Sequence, residues 1–235
     1  MSTQTTSGST SSGSTSSGST SSGGPLVRIA HSPLGGFIPW ILFSAIGGPS
    51  TWETASIAAL IAAVLLMLFD IGAIGGETGS GMRRPKLLDV ASIVFFGGFV
   101  VAAFSTARHD VTGVDDYAQA IASGGLAVVA FLSVLFGHPF TIDYAKDQTP
   151  PEVWHTPMFK HVNVVLTLMW GVVFAVCAGL GVAAVNATSK GAQDWFNWYI
   201  PIILIIVGFK VNARYPESVR RRMEAGAPPT SAAGS

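Results

Sequence analysis

Ionisable groups set in apolar sequence are where this chain could do chemistry. Asp70 stands in LFDIGAIGG, near the end of a long apolar run. An acid inside a membrane segment points by default to ion coupling or a proton relay. Asp70 lies about one helical turn from the end of its run, which also fits an interfacial acid reached by water or nearby cations, and this second reading is preferred. Asp89, at the start of the next run, reads as a cap or helix-dipole partner. Asp115 and Asp116 form the kind of pair that can hold a divalent ion, but no third ligand sits at useful spacing, so they read as acids of a helix N-terminus. No two of the five histidines have the i, i+4 spacing that places two imidazoles on one helix face. Cys177 and Ser133 lie in apolar sequence with no base at visible spacing, and there is no GxSxG, HExxH or phosphate-cradling glycine loop. The expectation is a non-enzyme with no catalytic residue, no metal and no cofactor.

The elements that would position these groups follow from composition. Hydrophobic residues make up 49% and charged residues 11% of 235, against about 25% charged in a soluble globular chain, so the expected solvent is lipid. Net charge is zero, which gives no general attraction to nucleic acid. Apolar runs occupy 33–48, 52–75, 88–106, 117–137, 162–185 and 195–212. A helix needs about 20 residues to cross a hydrocarbon core of about 30 Å, and backbone groups in lipid must pair internally. The expected fold is therefore an all-α, polytopic membrane helical bundle of six transmembrane helices, or five if the short first run, interrupted by Pro39, does not cross. Residues 1–24 hold 22 Ser, Thr or Gly and are expected to be a disordered tail. Residues 25–215 would form the membrane domain, and 216–235 a basic, flexible cytoplasmic tail.

Charge is distributed unevenly. Six spans with an inner N-terminus leave only Arg108 and Lys190, of 13 Lys and Arg, on the outer side. Cytoplasmic loops carry such an excess, so a multi-pass protein of the inner (plasma) membrane with both ends cytoplasmic is expected. Arg83, Arg84 and Lys86, and likewise Arg220, Arg221 and Arg222, read as topology anchors. The rival reading is a site for anionic lipid headgroups, which attract surface cations by about 1 kcal/mol each.

Small residues recur every four positions at Gly171, Ala175 and Gly179 and at Ala55, Ala59 and Ala63, and pair at Gly97–Gly98 and Gly124–Gly125. Such residues let helix backbones approach in lipid, within one chain or between copies. Trp52, Trp195, Trp198 and Tyr199 fit an aromatic belt. The segment 138–161 would lay its rings on the membrane surface or dock a partner, with Trp154, Phe159 and Asn163 as candidate contacts. The prolines within it would break any long helix. Expected partners are the lipid bilayer and other membrane or envelope proteins, with self-association left open.

Several short motifs fall in a telling order. Phe37-Ile38-Pro39 opens the first run, ETASIAALIAA follows at 53–63, and Phe96-Gly97-Gly98 precedes His109-Asp110. Val153-Trp154, Asn163, Trp170 and Phe174 come next, and ARYPE closes at 213–217. In this order the chain resembles the bacterial intracellular septation protein A family of small inner-membrane proteins. It departs from that family in its Ser/Thr/Gly tail, its longer FGG-to-His interval and its extended 138–161 loop. The resemblance implies a role in the cell envelope or septum through protein or lipid contacts, and no catalytic residues. The alternative is a small transporter or channel.

Overall fold

The computed structural model describes residues 33–48, 51–71, 85–105 and 114–226, and every regular element among them is helical. A short helix α1 (Pro33–Gly36) and α2 (Ile38–Ile46) are followed by α3 (Trp52–Asp70), α4 (Leu87–Phe104) and α5 (Val114–Leu135). Then come α6 (Thr141–Gln148), α7 (Pro157–Val185), α8 (Lys190–Asp194), a π-helical turn at Trp195–Tyr199 and α9 (Ile200–Gly226). Five helices are long and apolar enough to cross a membrane: α3, α4, α5, α7 and the continuous stretch Lys190–Met223. The tail 1–24, Arg83, Arg84 and the segment holding His109 and Asp110 lie outside the described residues.

The first apolar run is the centre of the bundle. Phe37 meets Phe140, Trp170, Phe174 and Phe209 with ring centroids 5.5–6.5 Å apart. Trp40 lies 4.8 Å from both Phe95 and Phe96, and Phe43 packs on Phe96 and Phe99. A nine-residue helix is only about 14 Å long, and it packs Trp40 and Phe43 inward while Ile41 and Ile46 stay exposed. Its last carbonyls, which a helix leaves unpaired, find donors: Phe43 O from Gly47 N at 2.6 Å, Ser44 O from Gln119 Nε2 at 3.1 Å, and Ile46 O from the Thr51 hydroxyl. Trp40 Nε1 donates to Ser92 Oγ at 2.7 Å, and Ser92 in turn donates to Leu88 O.

Several expectations need correction. Trp52 is 6% exposed and stands edge-on to Phe99, so it belongs to the core and not to a belt, whereas Trp195, Trp198 and Tyr199 are exposed. Of the glycine stripe, Gly171 lies against Phe131, but Ala175 and Gly179 face outward, and nothing approaches Gly179, Gly97 or Gly98. The close backbone approach is instead at Gly181, where an added Cβ would lie 3.0–3.2 Å from Ala120. Ala55, Ala59 and Ala63 are buried as expected. As expected, no long helix runs through 138–161: α6 stops at Gln148, and Pro157 opens α7, where its missing N–H costs nothing, with Thr156 Oγ1 capping Phe159 N at 3.2 Å. The stretch after 215 is not wholly a flexible tail, since α9 continues to Gly226 with Arg221 paired to Glu217 one turn away. Arg220, Arg221 and Arg222 are exposed along it.

Candidate functional site

The site lies where α3 ends and α4 begins, here termed the lower end of the bundle. Asp70 is the last residue of α3, and Lys86 immediately precedes α4. Lys86 Nζ lies 3.1 Å from Asp70 Oδ2 and 3.1 Å from Asp147 Oδ2, and 4.8 Å from the centroid of the Tyr144 ring. The side chains of Lys86 and Asp70 are 9% and 7% exposed. Asp89, in the first turn of α4, is buried and interacts with both Asp70 and Lys86. Burial alone would lower the Lys86 pKa, but Asp70 and then Asp147 outweigh it, and the ammonium is held above its usual range.

This arrangement corrects the reading of Lys86 as an anionic-lipid contact, because its charge is spent inside the protein on two carboxylates. Asp70 is likewise no solvated interfacial acid. Asp147 and Tyr144 reach the cluster from α6, far from Asp70 and Lys86 in the chain.

Helix α6 lies across the lower end and closes it. Leu87 N donates to Asp143 Oδ2 at 3.0 Å, and His138 Nε2 lies 3.1 Å from Asp143 Oδ1. Thr141 Oγ1 donates to Asn163 O at 3.0 Å and shares a hydrogen bond with Thr167 Oγ1 at 2.9 Å. Phe140 N donates to Ser133 Oγ at 3.2 Å, so Ser133 serves the turn into α6. Phe140, Ile142 and Tyr144 are buried in protein, not laid on a membrane. Asn163 and Phe159 are also buried, with Asn163 Nδ2 bonded to Phe159 O at 2.8 Å. They are therefore withdrawn from any partner-facing surface, and Trp154 alone of the three candidate contacts stays half-exposed, with Lys146 Nζ 5.7 Å from its ring centroid.

Tyr144 is sealed in by α1. Its hydroxyl has no hydrogen-bond partner among the described residues, and burial together with Asp89, Asp70, Asp143 and Asp147 pushes its pKa well above the ordinary range. A Cβ on Gly36 would collide with that hydroxyl and sit 3.1 Å from Leu88 Cδ2. Gly36→Ala is therefore expected to cost about 1–3 kcal/mol through overpacking, read as a lowered thermal midpoint in detergent, and Tyr144→Phe should recover part of the loss.

Beside the cluster, α4 and α5 meet chiefly where Phe95 covers Gly125, a Cβ on which would lie 2.5 Å from Phe95 Cε2. Below that pinch they diverge around a lateral groove of about 1590 Å³. Its walls are aliphatic, with Val94, Val128 and Leu132 exposed to it, and its floor carries Asp70, Lys86, Asp143, Lys146 and Asp147. A second cavity of about 290 Å³ lies among α2, α5, α7 and α9, lined by Trp40, Trp170, Phe174 and Cys177 with Ser123 and Asn197. Among the described residues no three His, Cys, Asp or Glu side chains converge as a metal site; the Lys86 ammonium occupies the middle of the carboxylate cluster.

No family model, curated protein or solved structure matches the chain. Of the residues that carry the resemblance to septation protein A proteins, Phe37, Phe96, Asn163, Trp170 and Phe174 are buried, whereas Gly98 is exposed.

Proposed function

We propose that this is a non-enzymatic multi-pass membrane protein that acts by holding a lipid in the groove between α4 and α5. The observation that carries the reading is the match of that groove to one leaflet. From Leu87 to Phe95, and from Leu135 up to Gly125, the helices rise about 12–15 Å at ~1.5 Å per residue. Half of a ~30 Å hydrocarbon core is ~15 Å. The volume exceeds the ~300–1,000 Å³ of pockets for drug-sized ligands, and the charges stand only at the end where a headgroup would lie. The cation bias supports a cytoplasmic lower end, with the C-terminus on that side and α1–α2 as a short sixth crossing. A place in envelope or septum formation is proposed on the sequence resemblance alone. The transporter alternative draws little support from Asp70, which sits at a helix end and is held by Lys86.

Filling the groove tests the reading. Val94→Trp combined with Val128→Trp is expected to reduce the lipid retained by the purified protein through mild detergent extraction by at least about half, with helix content unchanged. Val101→Trp, on the exposed face of α4 outside the groove, should leave retention as it was. Equal retention in both variants would count against the groove.

A further inference from the structure

We infer that the lipid taken by the groove is a zwitterionic phospholipid whose headgroup bears a primary amine. This rests on the groove reading above and adds to it the chemistry of the floor. Three carboxylates, Asp70, Asp143 and Asp147, face two lysines, Lys86 and Lys146, with His138 at the rim. Among the described residues the floor carries more carboxylates than lysines, which disfavours an anionic headgroup. Most of these charges are already engaged: Lys86 lies between Asp70 and Asp147, and Asp143 meets His138 and the Leu87 N–H. Two groups keep unspent capacity. Lys146 has no carboxylate partner among the described residues and rests over Trp154. Asp147 gives one oxygen to Lys86, leaves the other uncommitted, and is 27% exposed.

Lys146 and Asp147 are neighbours on α6 and present one positive and one negative contact at the headgroup end. A phosphate carries the charge that Lys146 seeks. A primary ammonium, attached two carbons away, has three N–H donors for Asp147. A trimethylated ammonium has none, and the one nearby ring, Trp154, falls short of the aromatic cage that quaternary ammonium groups use. A glycerol headgroup offers hydroxyls but leaves a net anion over the acidic floor.

The test uses the full chain in vesicles of equal parts phosphatidylethanolamine, phosphatidylglycerol and phosphatidylcholine with matched acyl chains. After mild detergent extraction, retained lipid is identified by mass spectrometry. Ethanolamine lipid is expected to be enriched about tenfold over the other two, the ratio that one charge-assisted hydrogen bond supplies. Replacing it by its mono-, di- and trimethylated forms should lower retention stepwise, in unaltered protein. Asp147→Asn should abolish the preference while lipid is still held, and Lys146→Gln should weaken all three phospholipids alike. Equal retention of the three headgroups, or a preference for phosphatidylglycerol, overturns the headgroup inference and leaves the groove standing. Retention of no lipid overturns both.

Discussion

Lys86→Met is expected to cost the folded protein about 3–5 kcal/mol, because it strips the cation from a buried cluster and leaves carboxylates uncompensated. At ~2–4 °C per kcal/mol for a domain of this size, the thermal midpoint in detergent should fall by roughly 6–20 °C. The loss is not the worth of a salt bridge. Two charges out of water roughly balance their own attraction, and the penalty lies in the orphaned partners. Removing those partners as well, in Lys86→Met with Asp70→Asn and Asp147→Asn, is therefore expected to restore most of the midpoint. The pH dependence has a definite sign. A lysine whose folded-state pKa is raised contributes stability that is fully present below its unfolded value of ~10.4 and is lost as pH climbs through the folded value. Asp70 and Asp147 raise Lys86 in this way. Wild type should thus lose this contribution only in alkali, and Lys86→Met should lack the alkaline phase. An unchanged midpoint in Lys86→Met would mean that the ammonium reaches water, as a surface anchor does.

The second large effect is expected at Gly181→Leu. An added Cβ there would lie 3.0 Å from Ala120 Cβ, 3.1 Å from its Cα and 3.2 Å from its N. Two of these atoms are backbone of α5, which cannot turn aside as a side-chain tip can, so α5 and α7 must separate along the most extensive helix contact in the bundle. The cost is about 3 kcal/mol, at the upper end of overpacking. Gly179→Leu, on the same helix but with open space around it, should change stability by no more than ~0.5 kcal/mol. Unfolding midpoints of the two variants, measured side by side in mixed micelles, check the contrast. Equal losses would mean that α7 meets its neighbour on another face.

That contrast also shows what the sequence carried and what it withheld. Length and hydropathy sufficed for the long helices: the run 52–75 contains α3, and 88–106 matches α4 within two residues. The four-residue spacing of Gly171, Ala175 and Gly179 identified a face made of small residues, but spacing does not say what lies opposite, and only Gly171 meets a neighbour. The length rule left 33–48 open, because it presumes lipid around a helix, whereas Phe37, Trp40 and Phe43 pack against other rings. Thr156-Pro157 is a legible start signal, a capping hydroxyl followed by proline, and the prolines of 138–161 do interrupt any long helix there. The cluster was least legible. The positive-inside rule explains a lysine beside two arginines without needing a partner, so nothing local pointed from Lys86 to Asp147. Only the crossing of α6 beneath α3 and α4 brings them together.

Photo-crosslinking tests the account most directly. Phospholipid bearing a diazirine midway along one acyl chain would be incorporated into vesicles holding the full chain, irradiated, and the adducts mapped by mass spectrometry. Adducts are expected to concentrate on Val90, Val94, Val128 and Leu132, which line the groove between α4 and α5. Adducts spread evenly over all outward-facing apolar residues, Val101, Val172 and Ile203 among them, would contradict a held lipid and reduce the groove to ordinary bilayer contact.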